Sequence, residues 1–453
     1  MISLRFSRFA HGCSIGEEEV SSLIKICDEL FGEENCISKV TRVVKTASNM
    51  GNFFAPSIDY VICYAKNIRN TSPFKGDVDE TLYKKTETSG ERKGEKYRDD
   101  VAFFQAGLKH GGSRYPIVCP DGERVNTPDN KPWRMSEATF NACREKNLIV
   151  FKETKTSPLI DEDTGEKAHW NIYTKSYLKD RKETGTQPRN ILLDFINRKG
   201  ADLIKQYKIP FDFAKPVELI AFLGRIINDS EAVVLDFFSG SATTAHAVMQ
   251  LNAEDGGHRK YIMVQLDEKC DEDSEAFKAG YKNISEIGKE RIRRAGVKIK
   301  EDSPLTTQDL DVGFRVFKLD DTNMEDVYYS AGEYTQEMLA GMESNIKPDR
   351  SDLDLLFGCL LDWGLPLSLP YYSETIDGCT VHTYAPGDAE LGVRDALIAC
   401  FDNNVPESVI KEIAHRNPLR AVFRDSSFAS SPEKINVEEI FAMLAPDTKV
   451  RVI

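Results

Sequence analysis

Val233-Val234-Leu235-Asp236-Phe237-Phe238-Ser239-Gly240-Ser241-Ala242-Thr243-Thr244-Ala245 is an apolar run that ends in an acid and passes into small residues before a second apolar stretch. A β-branched run, a tight loop and a helical continuation predict a strand–turn–helix junction. In an open α/β sheet, ligands sit beyond the carboxyl ends of the strands. There a loop of small residues lets backbone amides and a helix N-terminus come close. Gly240 permits a positive φ or a close approach, and Asp236 offers a carboxylate to a cationic ligand group. The run is neither G-x-G-x-x-G nor G-x-x-x-x-G-K-[ST], which argues against a nicotinamide oxidoreductase or a P-loop enzyme on a similar sheet. Alone, such a junction is more often a helix capped after a strand than a ligand site.

Its neighbours sharpen the reading. Phe211-Asp212-Phe213-Ala214-Lys215-Pro216-Val217-Glu218-Leu219-Ile220 lies one helix upstream. Pro216 suits a first helical turn, which sets Lys215 at the entrance of the same cleft. Downstream, the run YIMVQLDE predicts the next strand, followed by the acids Asp267 and Glu268, and SEAFKAGYKNISEIGKERIRRA predicts a long helix. Alternating helix and strand from residue 211 onward is the pattern of a doubly wound α/β sheet.

The front of the chain carries a helix at EEEVSSLIKICDELF, closed by Gly32, and the strand runs VTRVV and DYVICYA. The second strand is apolar enough to be buried on both faces. Residues 71–100 are polar and read as a mobile excursion. Residues 101–205 alternate short apolar runs with turn clusters and hold Trp133-Arg134 and His169-Trp170-Asn171. Each pairs a ring with a basic or polar neighbour, the combination that stacks on and contacts bases. A single tryptophan in a loop-rich insert is, however, more often core. The expected organisation is a partial core at 1–75, an insert at 76–205, the cofactor-binding half of the core at 206–300 and an acidic α+β unit at 301–453.

The chain has 453 residues, 41% of them hydrophobic and 29% charged, and a net charge of −14. Residues 301–453 hold 12 basic and 28 acidic side chains, so the first 300 residues are slightly positive. Residues 129–210 hold 16 basic and 12 acidic side chains. DNA binding depends on the local field at the phosphates, so the overall negative charge does not exclude it. The ten cysteines form no C-x-x-C pair, which points to buried thiols in a reducing, cytoplasmic setting. No apolar run suggests a membrane span.

The loop Asp236–Thr244 together with Lys215-Pro216-x-x-Leu219-Ile220 resembles the amino-methyltransferases of DNA, in their circularly permuted order. DYVICYAKN, YPIVCPDG, PWRMSE, GYKNISEIGKERIRR, GFRVFKLDDTN and PLRAVFRDSSF are similar to segments of the modification subunits of type III restriction–modification systems. The resemblance implies an S-adenosylmethionine-dependent (Rossmann-like) methyltransferase core with a target-recognition insert, acting on adenine N6 of double-stranded DNA. By it, Lys215, Pro216, Asp236, Phe238, Ser239, Gly240, Ser241, Thr243 and Thr244 hold the methionine part of S-adenosylmethionine. Asp267 or Glu268 takes its ribose hydroxyls. Trp133, Arg134, His169 and Trp170 face DNA. It also implies a homodimer and a restriction (helicase–nuclease) subunit as partners. One departure is Ala242, where the family has a second glycine.

The other departure is the catalytic Asp-Pro-Pro-Tyr motif, which occurs nowhere in the sequence. Its acid and backbone carbonyl would polarise the amine of a base flipped out of the duplex. It is expected tens of residues before Ser14, and only 13 residues precede Ser14. The expectation is therefore a core incomplete at the N-terminus, with no catalytic residue of its own. Either a separately encoded N-terminal piece completes it, or it is an inactive fragment that binds cofactor, DNA or the restriction subunit. Residues 1–12, interrupted by Arg5, Ser7, Arg8 and His11, are not expected to form a core strand. A missing central strand would leave buried backbone groups unpaired at about 1–3 kcal/mol each.

Overall fold

Ile58–Ala65 is a strand in which Val61, Ile62, Cys63, Tyr64 and Ala65 are all buried, as its unbroken apolar run predicts. A computed structural model of the chain describes residues 2–6, 10–45, 56–103, 113–325, 346–388 and 392–453. It divides into two compact units, Met1–Val312 and Gly313–Ile453.

The first unit begins β1 (Ile2–Phe6), β2 (Ala10–Ile15), α1 (Val20–Phe31), β3 (Cys36–Val43) and β4 (Ile58–Ala65). The insert follows with β5 (Lys85–Thr86), β6 (Lys96–Val101), β7 (Ile117–Val118), β8 (Arg124–Asn126) and α2 (Glu137–Glu145). It ends with β9 (Ile149–Glu153), β10 (Ile160–Asp161), β11 (Trp170–Tyr177) and α3 (Leu178–Thr184). The chain then returns to the main sheet through β12 (Ile191–Leu192), α4 (Asn197–Gln206), α5 (Val217–Ile227) and β13 (Val233–Asp236). After these come α6 (Thr243–Asp255), β14 (Lys260–Met263), α7 (Glu275–Lys278) and α8 (Ile284–Asp302).

The main sheet has seven strands in the order β12-β3-β4-β2-β1-β13-β14. Alternate residues of β4 serve opposite faces. Val61 and Cys63 join Val217, Leu219, Ile220, Leu223 and Ile226 of α5 and Val248 and Leu251 of α6. Ile62 and Tyr64 pack against Val20 and Cys27 of α1. Helices on both faces make this an α/β core. The sheet is mixed, not wholly parallel: β12 beside β3 and β13 beside β14 are parallel, and the other four pairs are antiparallel.

Residues 2–6 and 10–15 are strands, contrary to the expectation for residues 1–12. Leu4 lies opposite Asp236, and Ile15 opposite Tyr60, so the hairpin bridges β13 and β4 without a gap. Ladder bonds are made by the backbone, so charged residues do not prevent them. The register also sets one edge of the sheet, the candidate functional edge. The carboxyl ends of β13, β14, β3 and β12 lie together with the amino end of β4.

Three further readings change. The polar stretch 71–100 is ordered rather than a mobile excursion, because its charges pair: Asp99 takes Lys85 and Lys152, and buried Glu87 takes Lys175. The single long helix expected near 274–295 is two, α7 and α8, separated by Gly280 at φ 95° and capped afresh by Asn283. The second unit starts at Gly313 rather than 301. Val312 stays with the first unit, packed so closely on Gly296 of α8 that a Cβ on Gly296 would lie 2.9 Å from Val312 Cβ.

The second unit holds a five-stranded sheet, β15 (Tyr371–Ile376), β16 (Cys379–Tyr384), β17 (Leu397–Cys400), β18 (Arg420–Phe423) and β19 (Lys449–Val452), in sequence order. Helices α9 (Asp352–Asp362), α10 (Glu407–His415) and α11 (Ser431–Leu444) accompany it; β17, β18 and β19 are parallel and joined through α10 and α11, so this half of the unit is α/β in pattern rather than the expected α+β. No described helix is long and apolar enough to cross a membrane. The nine described cysteines are free thiols.

Candidate functional site

The strand–loop–helix junction at β13 is held by its own acid. Asp236, 1% exposed, accepts a hydrogen bond from Thr244 Oγ1 at 2.6 Å on one carboxylate oxygen and from the Phe238 amide at 3.1 Å on the other. Burial raises its pKa above the usual carboxylate range, and these two bonds oppose the rise. The backbone continues the frame: Val264 N–H donates to Asp236 O at 2.8 Å and Ser239 N–H to Val264 O at 3.1 Å. Asp236 and Thr244 therefore shape the loop from within. Phe237 and Phe238 are exposed, Ser239 and Gly240 are half-buried, and Ser241 to Thr244 are buried. The accessible part of the loop is Phe237–Gly240.

Gly240 has φ 48° and Ala242 has φ 58°. Ala242 thus takes the left-handed conformation where the family resemblance expects a glycine, with its amide bonded to Ser239 O at 2.7 Å. Its methyl group is accommodated at the cost of backbone strain. The room comes from Gly288 on α8, where a Cβ would stand 3.2 Å from Gly240 O and 3.5 Å from Ala242 Cβ.

The upstream motif comes to the same place. A Cβ on Gly240 would lie 3.7 Å from Phe211 Cζ, so the Phe211–Pro216 segment adjoins the loop. Pro216 caps α5 with φ −60°. Lys215, however, reaches Asp59 on β4 at 3.0 Å. Asp59 also takes Arg42 in a bidentate pair, and Arg42 donates to Phe195 O at 2.8 Å and to Asn197 Oδ1 at 2.9 Å. Burial lowers the pKa of the Lys215 ammonium, and Asp59 opposes that shift. Lys215 is thus a tethered cation on the functional edge.

Asp267 and Glu268 are exposed on the segment after β14. Asp267 accepts from Asn283 Nδ2 at 2.6 Å, and Glu268 O accepts from the Ile284 amide at 3.0 Å, tying the segment to the start of α8. Sequence reasoning missed Gln265, whose Oε1 accepts the Gly240 amide at 2.8 Å. It also missed Arg291, which donates to Ser241 Oγ and Thr243 Oγ1, each at 2.8 Å. A signal for Arg291 was present. Ile287, Arg291 and Ala295 recur every four residues, which sets a cation on the apolar face of α8.

The four proposed DNA contacts divide. Trp133 is corrected: it is 1% exposed, donates its indole N–H to Tyr115 O at 2.8 Å and stands edge-on to Phe103 in the insert core. An indole with its one donor satisfied and its faces packed cannot stack on a base. Trp170 is half-buried, edge-on to Phe151 and bonded to Asp121 at 2.9 Å. Arg134 and His169 are exposed. His169 lies 3.4 Å from Glu123. The β5-β6-β11-β9 sheet has a face, unseen in the sequence, where lysines beside tyrosines pair with the buried carboxylates of Asp99 and Glu87. Lys152 stands 4.3 Å from the Tyr173 ring and Lys175 5.2 Å from the Tyr97 ring.

Residues 12–276 match the DNA methylase family. The chain is 31% identical over 310 residues to the type III restriction–modification enzyme StyLTI Mod subunit of Salmonella typhimurium, covering 67% of this chain and 44% of that one. It is 28% identical to the EcoP15I Mod subunit of Escherichia coli, covering 93% and 66%. It is also 26% identical to the type II methyltransferase M.KpnI of Klebsiella pneumoniae, covering 62% and 67%. The chain thus spans about half to two thirds of the length of these Mod subunits. The match covers the main sheet from β2 onward, the insert and the junction at Asp236, and so the chain belongs to the DNA methylase family.

Proposed function

We propose that this chain supplies the cofactor-binding and DNA-reading parts of an adenine-N6 methyltransferase, in the manner of a type III modification subunit. The observation that carries the reading is the meeting of two motifs distant in sequence. The Phe211–Pro216 segment packs on the small-residue loop that Asp236 and Thr244 hold at the carboxyl end of β13. S-adenosylmethionine is the proposed ligand, with its amino-acid end at Phe238–Gly240 and its ribose toward Asp267 or Glu268. When bound, it supplies the methyl group. The residues of the chain orient it: the loop backbone sets its position and the buried Asp236–Thr244 pair keeps the loop rigid.

Arg134, His169 and the Lys152–Tyr173 pair are the proposed contacts to double-stranded DNA. Their cations meet phosphates and their rings offer stacking surface. A homodimer, a helicase–nuclease restriction partner and a cytoplasmic setting complete the proposal, as the family resemblance implies. Methyl transfer needs the acid, carbonyl and ring of an Asp-Pro-Pro-Tyr motif, which the 453 residues do not contain. The alternative is a chain that binds cofactor and DNA without turnover. Labelled S-adenosylmethionine and unmethylated duplex DNA separate the two. Label should enter adenine when a polypeptide bearing the motif is added to this chain. Binding with no incorporation in that mixture selects the second reading.

A further inference from the structure

Arg291 is fully buried, yet it stands in no ion pair among the described residues. One guanidinium nitrogen donates to Ser241 Oγ and Thr243 Oγ1 at 2.8 Å, and more weakly to Ser241 O at 3.4 Å. Nε and the second terminal nitrogen have no hydrogen-bond partner among the described residues. Burial pulls its pKa down to about 10, still well above neutrality, so it remains a cation. Its described neighbours supply no counter-charge. His246 is buried, with Nδ1 unpartnered, and is held neutral by burial and by the Arg291 charge, at about 3. Tyr207, edge-on to His246 at 5.4 Å, is a neutral phenol whose pKa burial raises.

A buried charge is ordinarily paired or neutralised. Arg291 instead sits directly behind the loop at the start of α6, where the helix N-terminus adds positive potential of its own. Gly288, one turn earlier on α8, brings the two backbones close enough for the charge to act on the loop. Asp236 lies at the other end of the loop, buried and occupied by Thr244 and Phe238. The loop therefore has a negative root and a positive back, the charge pattern of a site for a zwitterion.

We infer that Arg291 is a positioning residue that makes the loop selective for a ligand ending in a carboxylate, acting through Ser241 and Thr243 on the group held at Ser239–Gly240. The inference rests on the cofactor reading above and names which end of the ligand is selected. The ligand carboxylate is the counter-ion that the folded chain leaves out, and Arg291 acts on it without touching it.

The test compares the affinity of the full chain for S-adenosylmethionine and for its decarboxylated analogue, by calorimetry. Wild type should prefer the carboxylated ligand about tenfold, the size of a charge interaction through partly hydrated protein. In Arg291→Gln, which keeps a donor for Ser241 and Thr243, the two affinities should come within about twofold. The loss should fall on S-adenosylmethionine alone. Arg291→Lys should restore most of the preference, and a purely structural role would not produce that pattern. Arg291→Met, with no donor at all, serves if the glutamine variant does not fold. Equal affinities in wild type, or an unchanged preference in a folded neutral variant, overturn the inference and leave the cofactor reading standing. If wild type binds neither ligand, the cofactor reading falls and takes this inference with it.

Discussion

Arg42 and Arg291 are both fully buried in the first unit, and they are treated in opposite ways. Arg42 grips Asp59 with Nε and one terminal nitrogen, which also donates to Asn197 Oδ1, and gives the other terminal nitrogen to Phe195 O. It thereby ties β3, β4 and the approach to α4 together at the functional edge. Arg291 meets only hydroxyl and carbonyl oxygens, and two of its nitrogens meet nothing. A buried cation with a carboxylate is a clamp. One without a carboxylate is a source of field, and its place behind the loop decides what that field acts on.

The contrast predicts unequal mutational costs. The largest falls on the clamp: Arg42→Met leaves buried Asp59 with Lys215 but without its bidentate partner, and should cost about 3 kcal/mol in urea unfolding. Removing Asp59 as well, in Arg42→Met/Asp59→Leu, should recover part of that loss, with Lys215, already 23% exposed, turning to water. A double variant no more stable than the single one would show that Arg42 matters through packing instead.

The insert offers an intermediate case. Glu87 is held down to about 2 by Lys175 and Tyr177, from the usual 4.5. A depressed carboxylate contributes stability that is full above 4.5 and fades as pH falls through about 2. Lys175→Met should cost about 1–3 kcal/mol at neutral pH, with the penalty shrinking across that window. A penalty constant down to pH 2 would place the effect in packing rather than charge.

Smaller effects are expected at the loop. Ala242→Gly relieves a left-handed alanine and should raise stability by about 0.5–1 kcal/mol, after the entropy that glycine loses on folding. Destabilisation there would mean that the contact with Gly288 outweighs the strain. Arg291→Met should change stability least, within about 1 kcal/mol, because an apolar side chain relieves the desolvation as it gives up the hydroxyl bonds. A loss as large as that of Arg42→Met would erase the distinction between the two arginines.

Much of this architecture was legible in the sequence because apolar periodicity and small-residue punctuation are local signals. The runs DYVICYA, ELIAFLGRII, VVLD and TTAHAVMQL became β4, α5, β13 and α6. The strand at Ile2–Phe6 was not legible, since backbone pairing with β13 leaves no apolar pattern to read. The order in 85–101 was hidden for a related reason. Its charges look solvated until Asp99 and Glu87 find lysines on strands 50 to 90 residues away. At the site, the loop and Lys215-Pro216 could be read directly. Their partners Asp59, Gln265 and Arg291 could not, because only the fold brings them to one edge. Trp133 shows the reverse error, where a ring beside an arginine resembles a base-reading pair until Tyr115 and Phe103 enclose it.

The most direct test of the account is calorimetric titration of the full chain with S-adenosylmethionine, beside the Asp236→Ala variant. Saturable one-to-one binding by wild type, lost in a variant that still melts cooperatively, is the predicted result. Absence of binding by folded wild type, or undiminished binding by the folded variant, would contradict the assignment of this loop as the cofactor site.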